Sequence, residues 1–190
     1  MADIDSDIDN VLEKDTRNIY LTDDISQDTV DTAIQNIIEF NQDDDKDDAE
    51  KKNFKRKPIH VFISSYGGDV YAALGLGDII RTSQTPVYTY CMGKAMSAGL
   101  LIYCTGHKRF LYKYSTLMFH SIATFSQGKL QTIIEDVEEC KRLQKIYNDI
   151  VCSRSKLTHK VLNKVVKDKK DWFIGTEEAV KLKLCDEVLQ

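Results

Sequence analysis

Two prolines among 190 residues leave no Pro-rich linker along which the chain could divide. With no internal repeat either, the chain reads as one domain over residues 1–190, long enough to bury a substantial core. No run approaches the roughly 18 apolar residues that cross a bilayer, which predicts no membrane partner. The opening MADIDSDIDN is acidic and polar and lacks the basic and apolar regions of a secretory signal, which predicts a cytoplasmic protein. The five cysteines (91, 104, 140, 152 and 185) are odd in number and include no C-x-x-C pair. That spacing argues against a disulfide framework or a zinc site and for buried thiols in a reducing compartment. The four histidines (60, 107, 120 and 159) lack metal-ligand spacing, so neither a metal nor a cofactor is expected. A P-loop and a dinucleotide fingerprint are both missing. A formal charge of −4 gives no nucleic-acid footprint.

What is present is an alternation of two periodicities. Residues 17–22 read as a short strand, and Ser26 or Asp28 as the cap of a helix with Val30, Ala33, Ile34, Ile37 and Ile38 on one buried face. Residues 43–57, DDDKDDAEKKNFKRK, read as a charged, solvated loop. Residues 59–64, nearly continuous and β-branched, predict a strand covered on both faces. Helical spacing follows from Val70 to about Thr82, then a strand over 87–92 and an apolar helix from Ser97 to Cys104. Two short strands at 109–112 and 116–120 precede a long helix over 129–155. A short helix near 160–167, a strand at 172–174, a last helix from Thr176 and a closing strand complete the chain. Strand and helix alternating in this way predict an α/β fold with a mostly parallel sheet.

The residues with chemical potential stand at junctions. Ser97, in CMGKAMSAGLL, sits where a strand gives way to a helix, among small neighbours and beside the unpaired amides of a helix start. A hydroxyl there can attack a carbonyl while nearby N–H groups receive the oxyanion. It can equally be a plain helix N-cap. The elbow G-x-S-x-G is not matched, because Ala95 holds the first glycine position. Gly67-Gly68 can turn amides toward an anion or be an ordinary tight turn. His120, at the end of TLMFH, can be a base or a structural histidine. Asp171, in KDKKDWF, can orient an imidazole or be a surface charge.

In combination these segments resemble the Clp protease proteolytic subunits, the ClpP family. The resemblance rests on Tyr66-Gly67-Gly68, the stretch Met92 to Gly99, Met118-Phe119-His120, Asp171 to Ala179, and Leu184 to Val188. It runs over about Ile8 to Leu189. It implies a crotonase-like ββα superhelix with a protruding handle helix at 129–155. It also implies a serine endopeptidase with Ser97 as nucleophile, His120 as base and then acid, and Asp171 as its orienter. Gly68 and Ala98 would supply the oxyanion-hole amides.

The partners implied are further copies of the chain in a heptameric ring, stacked as a 14-mer, a Clp-type ATPase unfoldase, and unfolded polypeptide as substrate. A plastid or a virus-infected cell would be a compatible setting. Several positions depart from the family pattern. Tyr66 replaces a proline, Asp69 is expected to set a charge against the oxyanion, and Lys169-Lys170 replace an acid–base pair between rings. Positions that often carry aromatics for unfoldase docking hold His60 and Thr82, while Phe62 is kept. Other readings stay open: a catalytically weak or silent ring subunit, an acyl-CoA enzyme of the crotonase superfamily, or a viral capsid-maturation protease.

Overall fold

The computed structural model describes residues 16–190, so all but the last residue of the acidic segment 1–16 lies outside the described residues. Seven strands and six helices alternate along them. They are β1 (Asn18–Leu21), α1 (Gln27–Glu50), β2 (Ile59–Ser65), α2 (Val70–Thr82), β3 (Val87–Met96), α3 (Ala98–Thr105) and β4 (Lys108–Tyr112). There follow β5 (Thr116–Phe119), α4 (Leu130–Ser153), α5 (His159–Lys167), β6 (Trp172–Gly175), α6 (Thr176–Lys181) and β7 (Glu187–Leu189). The main sheet runs β1-β2-β3-β4-β7, all parallel, as the alternation of elements predicts. No described helix is long and apolar enough to cross a membrane.

One strand does two jobs. Its first half, Tyr88–Cys91, pairs with β4, and its last residues, Lys94–Met96, pair with β5. The change of partner needs a bend, and the register with β2 shifts between Ile63↔Cys91 and Ser65↔Ala95. Gly93 takes φ +81 at the bend, a conformation costly for other residues. The Ser115 hydroxyl pins it, accepting from the Gly93 amide at 2.8 Å and donating to the Cys91 carbonyl at 2.8 Å. The strand therefore extends to Met96, beyond the expected end at 92, and delivers Ser97 at its tip. Behind it α3 is buried along its whole length, as its apolar composition predicts.

Two expectations are corrected. The charged stretch 43–57 is not a loop throughout, because α1 continues to Glu50. Asp44 turns inward and is fully buried, held by both terminal nitrogens of Arg17 at 2.7 and 2.5 Å and by the Thr85 hydroxyl at 2.5 Å. Burial alone would raise its pKa, but the Arg17 and Thr85 hydrogen bonds lower it below the ordinary aspartate value. A carboxylate paired in this bidentate way is a structural tie between α1, β1 and the α2–β3 connection. Ser26 is the cap of α1, in a reciprocal box with Thr29. Val30, Ala33 and Ile37 are buried, whereas Ile38 is exposed.

The second correction concerns β2, which among the described residues is fully buried on one face and half-buried on the other. Ile59, Val61 and Ile63 are buried, while His60 and Phe62 stand on the outer face. There Tyr20, Phe62, Tyr90 and Phe110 lie opposite one another in adjacent strands. Their rings stack at 5.3, 4.6 and 4.6 Å, an aromatic ladder across four strands.

Candidate active site

Ser97 occupies the N-cap position of α3, yet its side chain makes no capping hydrogen bond. Its backbone is at φ +52, ψ −121, a sparsely populated region for a residue with a Cβ. Such a conformation persists only when its surroundings hold it. Here the Ser97 amide donates to the Met118 carbonyl of β5 at 3.0 Å. Its carbonyl accepts from the buried Tyr147 hydroxyl of α4 at 2.9 Å and from the Leu101 amide at 3.2 Å. On the far side Gly67 approaches so closely that a Cβ there would lie 2.7 Å from the Ser97 Cβ. Three elements thus force the hydroxyl outward, which the bare cap reading does not explain.

His120 follows β5, and its Nε2 lies 2.7 Å from Ser97 Oγ. The antiparallel β5–β6 pairing sets Phe119 opposite Trp172, which brings Asp171, just before β6, beside the imidazole. Asp171 Oδ1 stands 3.5 Å from His120 Nδ1, beyond an ordinary hydrogen bond, with its side chain 59% exposed. The hydroxyl and imidazole are in contact; the carboxylate is within ion-pair reach.

The glycine turn meets the same spot. Ile25 pairs with Gly68 as in a parallel ladder: its amide donates to the Gly67 carbonyl at 2.8 Å, and its carbonyl accepts from the Asp69 amide at 2.7 Å. That pattern engages the residues flanking Gly68 and leaves Gly68's own N–H pointing the other way. At φ +145, with a Cβ position only 2.1 Å from the Ile25 carbonyl oxygen, only glycine fits. Gly68, Ala98, Ser97 and His120 line one cleft of about 560 Å³. As the first residue of α3, Ala98 has an amide with no carbonyl in its own helix to pair with. Asp69, expected to oppose an oxyanion, lines the same cleft and also caps α2, its Oδ1 accepting from the Tyr71 and Ala72 amides at 2.7 and 3.0 Å. Its charge faces a helix start and is partly balanced there. Tyr66 lies on the surface with Lys94 over its ring at 4.3 Å.

A family model described as Clp protease matches residues 4–190. The chain belongs to the Clp protease family. Among solved structures, this Clp protease chain resembles a mutant of ClpP1 from Listeria monocytogenes. The TM-score is 0.78 at 22% sequence identity, covering 95% of this chain and 96% of that one. The architecture of the Clp protease member is therefore the ClpP-like fold, in line with the α/β crotonase-like expectation.

Two contributors carry no signature in the sequence. Tyr147 reads as an ordinary apolar position of the long helix, and its hydroxyl role depends on a contact 50 residues away in sequence. Tyr71 donates to Glu139 at 2.6 Å, joining α2 to α4 across the cleft. Neither pairing leaves a local signal. Among the described residues, no group of three or more His, Cys, Asp or Glu converges as metal ligands would. All five cysteines are free, and burial pushes the Cys91 and Cys104 thiols up to about 12.

Proposed function

We propose that the protein is a serine endopeptidase of ClpP type that hydrolyses peptide bonds of unfolded polypeptide. The observation that carries this reading is the 2.7 Å contact between Ser97 Oγ and His120 Nε2, at a serine whose backbone is held at φ +52. His120 Nε2 takes the hydroxyl proton as Oγ bonds to the substrate carbonyl carbon, and the carbonyl π electrons move onto oxygen. The Gly68 and Ala98 amides receive that oxyanion, and Asp171 steadies the imidazolium. On collapse the C–N bond breaks, and the proton on His120 passes to the departing amine. Water, deprotonated by the same imidazole, then splits the acyl-enzyme and restores Ser97.

The chain works in this reading as a ring, heptameric and stacked in pairs. The outer half of α4 leaves Leu130, Ile134 and Val137 exposed, apolar surface suited to a neighbouring subunit. The aromatic ladder supports docking of a Clp-type ATPase. Five unpaired cysteines support a reducing, cytoplasmic setting.

A fluorophosphonate probe tests the chemistry directly. It labels Ser97 of the assembled protein, and labelling that persists unchanged in Ser97→Ala refutes the assignment. The exposed position of Asp171 favours one second reading, a weak or silent ring subunit. In that case Ser97 takes no label, although native mass measurement still reports the ring.

A further inference from the structure

On its N-terminal side His120 is held by β5, which ends one residue earlier at Phe119. Beyond that point the sheet no longer guides the chain. Two residues further on, the Ile122 amide donates to Gln144 Oε1 at 2.7 Å, a contact that crosses to α4. Gln144 lies three residues before Tyr147, whose hydroxyl holds the Ser97 carbonyl at 2.9 Å. Residues at i and i+3 share a helix face, about 4.5 Å apart along the axis. One turn of α4 therefore grips both segments that make the 2.7 Å contact between Ser97 Oγ and His120 Nε2.

A glutamine amide presents oxygen or nitrogen with almost the same outline, and here its neighbours dictate which. A backbone N–H only donates, so Oε1 must face Ile122. Nε2 then donates to Asn148 Oδ1 at 3.0 Å, and Asn148 Nδ2 donates to Asn163 Oδ1 of α5 at 2.9 Å. Asn148 is 2% exposed, and a reversed Gln144 amide would set donor against donor at Ile122 and acceptor against acceptor at Asn148. The donors thus run one way, from Ile122 through two residues of α4 to α5. Packing alone asks only for volume at position 144, whereas this chain asks for an acceptor.

We infer that Gln144 is a positioning residue for His120: by anchoring Ile122 it fixes where the imidazole stands relative to Ser97, and Asn148 and Asn163 keep its oxygen turned the right way. The catalytic meaning of that role rests on the peptidase reading of Ser97 and His120, but the anchoring itself needs no turnover. Two substitutions separate it from plain packing. Gln144→Met keeps the length and offers no oxygen to the Ile122 amide. Gln144→Glu keeps an acceptor there, and the Asn148 and Asn163 amides turn over to follow it.

The first readout is the rate at which diethyl pyrocarbonate modifies His120 in the native assembly, followed by peptide mass spectrometry with His60 and His107 as internal references. An imidazole nitrogen held against the Ser97 hydroxyl reacts slowly. Gln144→Met speeds modification of His120 about fivefold, as the loss of one hydrogen bond allows, while Gln144→Glu stays within about twofold of the parent. The reference histidines do not change. The second readout is hydrolysis of an internally quenched, unstructured peptide. Gln144→Met lowers kcat about tenfold with KM within about twofold, and Gln144→Glu recovers kcat to within about threefold of the parent. Plain packing gives the opposite order, with methionine tolerated and glutamate harmful. His120 no more reactive in Gln144→Met than in Gln144→Glu overturns the inference. If the parent cleaves no peptide while His120 reactivity still separates the two variants, the peptidase reading fails and the anchoring stands.

Discussion

The two ends of the Ser97–His120–Asp171 line are built differently. Ser97 is gripped from three sides, by the Met118 carbonyl, the Tyr147 hydroxyl and the close approach of Gly67. Asp171 sits at the surface, after the exposed Lys169 and Lys170, and reaches His120 at 3.5 Å. Strain at one end is held by burial, while water screens the charge at the other. The lesson is that positional precision is concentrated on Ser97 and the glycine turn, while the Asp171 carboxylate lies in water.

Four substitutions can break or sharpen that asymmetry. On the proposed reading Ser97→Ala removes the attacking atom, and peptide hydrolysis falls by ~10⁴–10⁶-fold with the light-scattering mass unchanged. Gly68→Ala comes next. Its Cβ would meet the Ile25 carbonyl at 2.1 Å and displace the turn. Turnover drops by about 10²–10³-fold, as when one oxyanion donor is lost, and the melting temperature falls with it. Asp171→Asn costs about 10²-fold in kcat, well short of the ~10⁴-fold seen for a buried triad acid. A loss as large as that of Ser97→Ala would erase the distinction between the two ends. Tyr147→Phe is the smallest. It removes one buried hydrogen bond to the Ser97 carbonyl, worth about 1 kcal/mol, and lowers the melting temperature by about 2–4 °C. The Leu101 amide still holds that carbonyl, so kcat stays within about tenfold.

Much of this is legible along the chain because the elements are strongly periodic. The junctions at Gly68, Ser97, His120 and Asp171 follow from where apolar runs stop, and the structure does bring those four residues to one place. What escaped depends on register or on a distant partner. Tyr20, Phe62, Tyr90 and Phe110 are scattered in sequence and become a ladder only once three parallel pairings are aligned. Asp44 looked like one more solvated charge in an acidic run. Its burial is decided by Arg17, 27 residues earlier, and Thr85, 41 residues later. The capping role of Asp69 is likewise hidden, because it depends on where the following helix starts. The bend at Gly93 resembles the end of a strand in sequence, since a change of partner leaves no mark on hydrophobic periodicity.

The contact between Gly67 and Ser97 also limits which sequences can occupy this turn. With a Cβ already 2.7 Å from where a neighbouring one would stand, and with φ at +52, the site accepts a different atom at the γ position more readily than a different branching at the β position. Cysteine keeps the unbranched outline of Ser97 and changes only the atom at the γ position. Threonine, chemically the nearer hydroxyl, adds a branch at the Cβ that Gly67 already approaches closely. The two positions are therefore coupled: a side chain at 67 would press on the Cβ at 97, so a glycine at 67 is the condition for any side chain at 97 in this backbone.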